Sequence, residues 1–321
     1  MSIPVTLIRT ESEGVDVAET LEPLFEAAGA NIAFESFDAT DGRITNELEA
    51  AIRRTGVAFA GFHWGRRDMG ELPPIVQLRK RLGVYANLRP LKSRPGITAI
   101  YDDVDLWVVR ETTEDVYAHL EHESLPGVFE SLKVVTAAAC ERISRFAFQF
   151  ARDNGRKRVT TVHKSNIMKL SDGMFLRISQ QVAKEFPEIE HNEVIVDALC
   201  MKLVLYPAQF DVLLMGNLFG DIVGDLGAGL VGGGANAPSV NLSDDVALFT
   251  VGQRAPVEDG PDPLPLVLSG LYMLEHLGQT DARDRLGAAA EEAVLAGHKP
   301  GSRPGATGES YVRAVLGALG A

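Results

Sequence analysis

Three arginines stand at predicted strand or loop positions in compact motifs: Arg79 in QLRKRLG, Arg89 in VYANLRP and Arg110 in VVRETTEDVY. The guanidinium group of arginine binds a carboxylate through two parallel hydrogen bonds. A small molecule with two or three carboxylates needs about this number of guanidinium groups, so the motifs indicate a binding site for a polycarboxylate. Taken singly, each arginine has a plainer interpretation as half of an ion pair at the protein surface.

Two aspartates, Asp221 and Asp225, lie four residues apart in GNLFGDIVGDLGAG. This spacing places both side chains on one face of a helix, and two carboxylates that close repel each other unless a cation lies between them. Hard oxygen ligands of this type suit Mg²⁺ or Mn²⁺. Asp197, at the end of a predicted VIVD strand, is a candidate third ligand. The alternative is structural, with Asp221 capping the helix and Asp225 facing water.

Lys164 and Tyr117 are candidates for proton transfer. Lys164 follows a predicted strand in VHKSNIMKLSDGMF, two residues before Asn166, and Tyr117 follows Arg110 by seven residues. A lysine and a tyrosine near a metal can donate and accept protons, because the metal and neighbouring cations lower their pKa values. Taken alone, Tyr117 would be interpreted as a tyrosine of the core or of a sheet edge, and Lys164 as a solvent-exposed cation.

The elements that must position these residues alternate between strands and helices. Short β-branched apolar runs predict strands, and apolar residues at intervals of three or four predict helices. The predicted strands cover 3–9, 32–37, 57–62, 105–109, 158–162, 194–196 and 212–215, and the predicted helices cover 17–25, 44–52, 132–150, 265–277 and 282–296. Alternation of this kind indicates an α/β fold with a largely parallel sheet, in which chemistry usually occurs where strands end.

Composition restricts the class of protein. The 321 residues carry a formal net charge of −13, which argues against a nucleic-acid partner because phosphate binding depends on clustered Lys and Arg. The sequence has neither a membrane-spanning apolar run nor the basic and apolar regions of a signal peptide. We therefore expect a soluble, cytoplasmic protein with no membrane partner. Cys140 and Cys200 are expected to be free thiols, as in a reducing compartment.

Five segments together resemble the isocitrate and isopropylmalate dehydrogenase family, and its NAD-dependent isocitrate dehydrogenases in particular. They are LRKRLGVYANLRP, VVRETTEDVYA, VHKSNIMKLSDGMF, VIVDALCMKLVLYPAQFDVL and NLFGDIVGDLGAGLVGG, in the family's order and spacing. The resemblance covers nearly the whole chain. It implies the family's α/β fold, a mixed and mostly parallel sheet in two lobes that is not a GxGxxG Rossmann fold. Residues 1–95 and 236–321 would form the large, nucleotide-side lobe, and residues 96–235 the small lobe with the dimer-forming segment.

The resemblance also implies a role for each residue singled out above. Substrate would be bound by Arg79, Arg89, Arg110 and Asn166, a divalent metal by Asp197, Asp221 and Asp225, and proton transfer would fall to Tyr117 and Lys164. In this family two subunits share each active site, and the partner donates the lysine and the first aspartate. The resemblance therefore implies a homodimer, or a heteromer with a homologous subunit, acting on a small hydroxy polycarboxylate.

The two segments that face the nucleotide in the family have drifted here. RTESEGVDVAE replaces the family's GDGIGPE loop, and GQRAPVEDGPDP is a shortened form of HGSAPDIAGKGIANP, with Gly252 in place of His and Asp262 in place of Asn. Asn217 and Asp262 are the positions for which the resemblance implies a cofactor contact. The second segment sets one arginine against three acidic residues, which would repel the 2′-phosphate of NADP, so NAD is expected rather than NADP.

The segment before Arg79 departs from the isocitrate pattern. The isocitrate enzymes place Ser and Asn six and four residues before this arginine, where this chain has Pro73 and Ile75. Two hydrogen bonds to a substrate carboxylate, each worth roughly 1 kcal/mol, are lost. Ile75 and Val76 would suit an apolar group, as in isopropylmalate enzymes, whereas RETTEDVYA is more similar to the isocitrate branch.

Three hypotheses about function follow from these motifs. The first is an NAD-dependent isocitrate dehydrogenase that requires a metal. The second is a noncatalytic or regulatory subunit that binds metal and isocitrate and pairs with a complete homologue. The third is a decarboxylating dehydrogenase for another 2-hydroxyacid, such as an isopropylmalate-like substrate.

Overall fold

The computed structural model describes residues 2–9, 17–39, 42–61, 73–251 and 262–321. The strands are, in chain order, β1 (Ile3–Arg9), β2 (Ile32–Asp38), β3 (Val57–Ala60), β4 (Ala86–Lys92), β5 (Asp105–Glu111), β6 (Glu121–Leu125), β7 (Val128–Ser131), β8 (Arg158–His163), β9 (Glu190–Ile195), β10 (Val212–Met215), β11 (Ser239–Leu242) and β12 (Ala247–Thr250). The helices are α1 (Val17–Ala28), α2 (Asn46–Thr55), α3 (Pro74–Leu82), α4 (Ala137–Asp153), α5 (Ser171–Ala183), α6 (Val196–Leu205), α7 (Asn217–Leu230), α8 (Leu264–His276), α9 (Thr280–Leu295) and α10 (Gly308–Leu319).

The chain divides into two compact units, and the first comprises the described parts of 1–82, 93–102 and 231–321. Its strands lie in the order β2-β1-β3-β12-β11, in which β11 and β12 are antiparallel and the other neighbours are parallel. Every residue of β3 and β12 is buried, which is typical of strands covered on both faces. Helices α1, α8, α9 and α10 pack against one another.

The second unit comprises residues 83–92 and 103–230. Its strands lie in the order β4-β5-β10-β8-β9, in which β4 is antiparallel to β5 and the other neighbours are parallel. Strands β6 and β7 form a separate antiparallel pair. Because β5, β10, β8 and β9 run in the same direction, their carboxyl ends meet at one edge. The segments that follow these four strands therefore begin along that edge.

The predicted α/β class, with a mixed and mostly parallel sheet, is confirmed. The segment GAGLVG at Gly227–Gly232 matches the GxGxxG sequence pattern, but it begins inside α7 and extends beyond the C-terminal end of that helix. The dinucleotide fingerprint instead follows a strand and opens a helix.

Strand β4, which the sequence placed in the large lobe, belongs to the second unit because it pairs with β5 over its whole length. The division into functional lobes stays a prediction.

The long helix predicted for 132–150 is shorter at its start. Val134 forms a β-bridge with Asp115, and the side chain of Thr136 caps α4 by accepting a hydrogen bond from the backbone N–H of Ala139. Such a cap fixes the first helical residue, so the helix begins at 137. Strands β11 and β12 and helix α10 lie in segments for which the sequence predicted no element, and α10 is fixed by a capping box between Thr307 and Ser310.

Two site residues lie on other elements than expected. Asp197 was placed at the end of a strand, but β9 ends at Ile195 and Asp197 lies in the first turn of α6. Arg79 was placed on a strand or loop and lies in the last turn of α3. The strand predicted for 57–62 is β3, and its last predicted residue lies outside the described part of the chain.

Both cysteines are free thiols, as predicted. Cys140 lies in the buried face of α4, and burial raises the pKa of its thiol to about 12. Cys200 is half-buried on α6. Within the described ranges, no helix is both long and apolar enough to cross a membrane.

Candidate active site

The candidate residues of the second unit gather where its parallel strands end. Arg110 is the last residue but one of β5, and Tyr117 follows in a 3₁₀ turn at Val116–Ala118. Helix α7, which carries Asp221 and Asp225, follows β10 after a single residue. Strands β5 and β10 are parallel neighbours, with Arg110 beside Met215. This pairing brings together side chains that are more than a hundred positions apart in the sequence.

Two arginine–aspartate pairs form the centre of the site. Arg110 donates a hydrogen bond through Nη1 to Asp221 Oδ1, and Arg89 donates through Nη2 to Asp225 Oδ1 at 3.4 Å. The side chains of Arg110 and Arg89 are only 7% and 15% exposed, whereas those of Asp221 and Asp225 are 47% and 57% exposed. Buried cations therefore lie behind a pair of carboxylates that solvent and ligands can reach.

The register of β4 and β5 explains why both arginines point to α7. Asn87 lies opposite Arg110 and Arg89 lies opposite Val108, and alternate residues of a strand share a face. Arg89 and Arg110 are therefore on the same face. Helix α7 packs on that face, so that successive turns of the helix meet the two arginines.

Glycines on α7 make room for this packing. A Cβ added to Gly220 would lie 2.5 Å from Cγ of Arg110, and one added to Gly227 would lie 2.2 Å from Cδ1 of the buried Leu91. At Gly224 the nearest atom is Cγ of Arg89, 3.7 Å away. Gly229, on the same helix, faces open space. The side chain of Arg110 thus runs through a gap that any larger residue at 220 would fill.

Asn217, the first residue of α7, fixes the direction of the Arg110 guanidinium. Its Oδ1 accepts hydrogen bonds from Arg110 Nε at 3.0 Å and Nη2 at 2.7 Å. Its Nδ2 donates to the backbone oxygen of Glu114 at 3.0 Å. Asn217 is buried, and both ends of its amide are engaged within the second unit. The cofactor contact that the resemblance implied for this residue stays a prediction.

Tyr117 completes the cluster. Its hydroxyl donates a hydrogen bond to Asp221 Oδ2 at 2.5 Å, and Cζ of Arg110 lies 5.2 Å from the centre of its ring. Burial raises the pKa of Tyr117, the hydrogen bond and charge of Asp221 raise it further, and Arg110 offsets part of the rise. The phenol is therefore protonated at neutral pH and holds its proton at the Asp221 carboxylate.

The arginines retain capacity for an anion. Burial lowers the pKa of Arg89, repulsion from Arg110 lowers it further, and the charges of Asp225 and Asp221 oppose both effects. Nε of Arg89 is buried and has no hydrogen-bond partner among the described residues. An unsatisfied buried donor costs about 1–3 kcal/mol. An anionic ligand that reached this atom would recover that free energy and reduce the repulsion between the two guanidinium groups.

Lys164 and Asp197 form a separate pair further along the same edge. Lys164 follows β8, and its Nζ donates to Asp197 Oδ1 at 2.5 Å. This hydrogen bond is the main cause of a lowered pKa of Asp197, whose carboxylate is otherwise exposed. Asn166 is exposed in the turn after β8. The structure thus brings the predicted lysine to a predicted metal ligand, and not to Tyr117.

Asp221 and Asp225 fit a divalent cation. They offer hard oxygen ligands one helical turn apart on an accessible face. Mg²⁺ is commonly bound by one or two carboxylates, with water or substrate oxygens as its remaining ligands. No three acidic, His or Cys side chains within the described ranges are close enough to hold a metal ion by themselves. Asp197 does not join Asp221 and Asp225 among the described residues of one chain, so the predicted set of three metal ligands is not assembled within a single chain.

The remaining predicted residues lie in the first unit. Asp262 is buried, where its Oδ1 accepts a hydrogen bond from the N–H of Leu264 at 3.0 Å and its Oδ2 lies 3.0 Å from Nζ of Lys299. These contacts fix the start of α8. Arg79 is half-buried on α3. Their roles in cofactor and substrate binding stay predictions, and the nucleotide-facing segments at 10–15 and 252–261 lie outside the described residues.

Sequence reasoning missed the glycines of α7 and the contact of Asn217 with Arg110. Gly220, Gly224 and Gly227 recur at helical spacing, a pattern that indicates close approach of a helix to a neighbour and was available in the sequence. The role of Asn217 had no local signal, because its partner Arg110 is 107 positions away.

Comparison with known proteins agrees with these features. The family model described as isocitrate/isopropylmalate dehydrogenase matches residues 12–303. A regulatory subunit of mitochondrial NAD isocitrate dehydrogenase from Dictyostelium discoideum is 40% identical, covering 91% of this chain and 84% of that protein. A mitochondrial NAD isocitrate dehydrogenase catalytic subunit from Arabidopsis thaliana is also 40% identical, covering 92% of this chain and 82% of that protein.

The fold gives the same result. The crystal structure of isocitrate dehydrogenase from Methylococcus capsulatus superposes with a TM-score of 0.90 at 34% sequence identity, and the match covers 99% of each chain. Identity at this level over the whole length extends the likeness beyond fold alone. The chain belongs to the isocitrate/isopropylmalate dehydrogenase family.

Proposed function

We propose that the protein is a metal-dependent enzyme that oxidises isocitrate, or a similar 2-hydroxy polycarboxylate, with NAD⁺ and releases CO₂ to give 2-oxoglutarate. The observation that carries the proposal is the set of two buried guanidinium groups behind two accessible carboxylates, with the Tyr117 hydroxyl bonded to one of these carboxylates, that of Asp221. A polycarboxylate chelated to a divalent cation matches this set, because its anionic groups suit the arginines and its cation suits the aspartates.

Each side chain has a distinct task in this proposal. Arg110, held by Asn217, binds one substrate carboxylate in a fixed direction, and Arg89 binds a second through its free Nε. Asp221 and Asp225 would hold Mg²⁺ or Mn²⁺. Bound there, the metal would polarise the substrate's hydroxyl and adjacent carboxylate, and NAD⁺ would serve as the hydride acceptor. NADP is less expected, because of the acidic residues near Asp262.

Tyr117 is suited to the last proton transfer. Its raised pKa keeps the phenol protonated, and its hydroxyl lies against Asp221, where the bound substrate would be placed. A proton donor at that position can transfer a proton to the substrate carbon atom from which CO₂ has left. We assign Lys164 to the same proton transfers. Asn166, two residues further on, would contact the substrate from the same turn, and Arg79 would bind a further carboxylate.

The site is shared between subunits in this proposal. Lys164 and Asp197 form their own pair, apart from Asp221 and Asp225, so a second subunit would supply a lysine and a third aspartate. The β6–β7 pair exposes Leu125 and Phe129, and α6 exposes Met201 and Leu205. Exposed apolar groups of this kind are typical of subunit interfaces. The partner would be a second copy of this chain or a homologous subunit.

Two alternatives have support of their own. A noncatalytic regulatory subunit is favoured by the drifted nucleotide segments, and relatives named as regulatory and as catalytic subunits are equally similar to this chain. An isopropylmalate-like substrate is favoured by Ile75 and Val76, which are half-buried at the start of α3. The Dictyostelium discoideum and Arabidopsis thaliana relatives are named as mitochondrial proteins, and the cytoplasmic location expected for this chain stays a prediction.

The first prediction concerns activity. With Mg²⁺, NAD⁺ and isocitrate, the purified protein should form NADH and 2-oxoglutarate in equal amounts. Arg110→Met should lower kcat/KM by about a hundredfold or more, because a buried carboxylate contact is lost and Asp221 loses its partner. The control Arg313→Met removes an exposed arginine that pairs with Glu309 on α10, and it should leave kcat/KM unchanged. Turnover of isopropylmalate in place of isocitrate would contradict the proposed substrate.

A second prediction separates the enzyme from the regulatory subunit. Calorimetric titration of the homodimer with NAD⁺ should show binding in the micromolar to millimolar range of ordinary cofactor and substrate affinities. Isothermal titration is suited to this question because it needs no turnover. Binding of Mg²⁺ and isocitrate without any binding of NAD⁺ would exclude the catalytic assignment and support the regulatory one.

A third prediction tests the packing of α7 on Arg110. Gly220→Ala should raise the KM for isocitrate by about tenfold or more, because the new methyl group displaces the arginine stem and a displaced binding group loses its aligned contacts. Gly229→Ala on the same helix has room for its methyl group and should keep the wild-type KM. Equal KM values for the two variants would show that Arg110 does not depend on the gap at Gly220.

A further inference from the structure

Lys133, between β7 and α4, joins two buried carboxylates. Its Nζ lies 3.1 Å from Oδ2 of Asp115 and 3.4 Å from Oδ1 of Asp172. The side chains of Asp115 and Asp172 are 3% and 6% exposed, and that of Lys133 is 18% exposed. The ammonium also lies 4.9 Å from the centre of the Phe219 ring. Because a buried carboxylate without a counter-charge is strongly unfavourable, this one cation holds both anions in place.

Asp115 fastens the Tyr117 turn to the start of α7. Its Oδ1 accepts a hydrogen bond from the N–H of Val116 at 2.8 Å, and its Oδ2 accepts one from the N–H of Leu218 at 3.2 Å. Its backbone also bonds to Val134 on the Lys133 segment. Asp115 has φ 75°, a conformation that costs a residue with a side chain about 1–3 kcal/mol. The surrounding bonds must therefore hold this residue in place, and Tyr117 is two residues further on.

Asp172 fastens the turn that carries Lys164. It lies in the first turn of α5, and its Oδ2 accepts a hydrogen bond from the backbone N–H of Lys164 at 2.7 Å. The side chain of Lys164 continues from there to Asp197. All three charged groups, with Asn217, line one cavity of the second unit. A continuous chain of contacts thus runs from the Tyr117 turn through Asp115, Lys133 and Asp172 to the Lys164 turn.

We propose that Lys133 is a positioning residue, which holds the Tyr117 turn and the Lys164 turn in place together through Asp115 and Asp172. The importance of Lys133 for catalysis rests on the proposed function, which assigns the proton transfers to Tyr117 and Lys164. The structural connection between the two turns rests only on the contacts described above. Arg110 and Arg89 make their direct contacts with Asn217 and the aspartates of α7, and neither contacts Asp115 or Asp172 directly, so the link reaches these two arginines only indirectly, through the start of α7. Loss of the Lys133 charge therefore lowers the rate of the reaction more than it weakens substrate binding.

The kinetic test compares three variants of the full-length protein. Lys133→Gln removes the charge and keeps a hydrogen-bond donor, and it should lower kcat by about tenfold or more, since small displacements of reacting groups are costly. The KM for isocitrate should stay within about threefold of wild type, and Lys133→Arg should recover part of the lost kcat. The control Lys92→Gln removes a lysine that pairs with an exposed Asp105 and should change neither constant. An unchanged kcat, or a raised KM with normal kcat, would overturn the proposal.

Hydrogen exchange tests the link without any need for turnover. In Lys133→Gln the backbone amides of 113–118 and of 164–168 should both exchange about tenfold faster or more, as expected when a local anchor is removed, and in Lys92→Gln neither segment should change. Faster exchange in one segment only, or in neither, would contradict the coupling. If the wild-type protein is inactive but both segments still exchange faster in Lys133→Gln, the proposed function is refuted and the link between the two turns is supported.

If Lys133→Gln does not fold, the variant Asp172→Asn provides the same test. The amide oxygen can still accept from the N–H of Lys164, and the change keeps the size of the side chain, but the ion pair with Lys133 is weakened. We expect a smaller fall in kcat and faster exchange in both segments. Wild-type kcat and wild-type exchange in this variant would overturn the proposal.

Discussion

Arg110 is held between β5 and α7, and the rest of the candidate site depends on this contact. A buried guanidinium group must be compensated, because an unpaired buried charge costs several kcal/mol. Asn217 accepts from two of its nitrogens, Asp221 from a third, and the Tyr117 ring lies beside it. The glycine at 220 is what allows the helix to come close enough for these contacts to form. Asp221 is thereby fixed, and with it the hydroxyl of Tyr117.

The second arginine repeats this arrangement one turn further along α7. Arg89 meets Asp225 beside Gly224, as Arg110 meets Asp221 beside Gly220. The two pairs form a surface in which positive charge is buried and negative charge is accessible. In the proposed function a cation bound to the aspartates weakens their hold on the arginines, and the guanidinium groups become available to the substrate's carboxylates. Metal and substrate would then bind as one unit.

The sequence predicted much of this arrangement, since its signals were local. β-Branched runs located the strands, and the spacing of Asp221 and Asp225 gave their common helical face. Prediction from the sequence failed where contacts between distant residues determine the local structure or the partners of a side chain. The run Val194–Val196 reads as a strand, but the chain turns into α6 one residue early, so that Asp197 lies on a helix. Lys133 has no local signal at all, because its partners lie 18 and 39 positions away and were brought together only by the fold.

The central claim is that metal and polycarboxylate occupy one site formed by these two ion pairs. It is tested most directly by calorimetric titration of isocitrate into the protein with and without Mg²⁺, in wild type and in Asp221→Asn. The claim predicts that Mg²⁺ tightens isocitrate binding by about tenfold or more, a coupling free energy of roughly 1.4 kcal/mol, and that Asp221→Asn abolishes most of this effect. Equal affinity with and without Mg²⁺, or an Mg²⁺ effect that survives in Asp221→Asn, would contradict it.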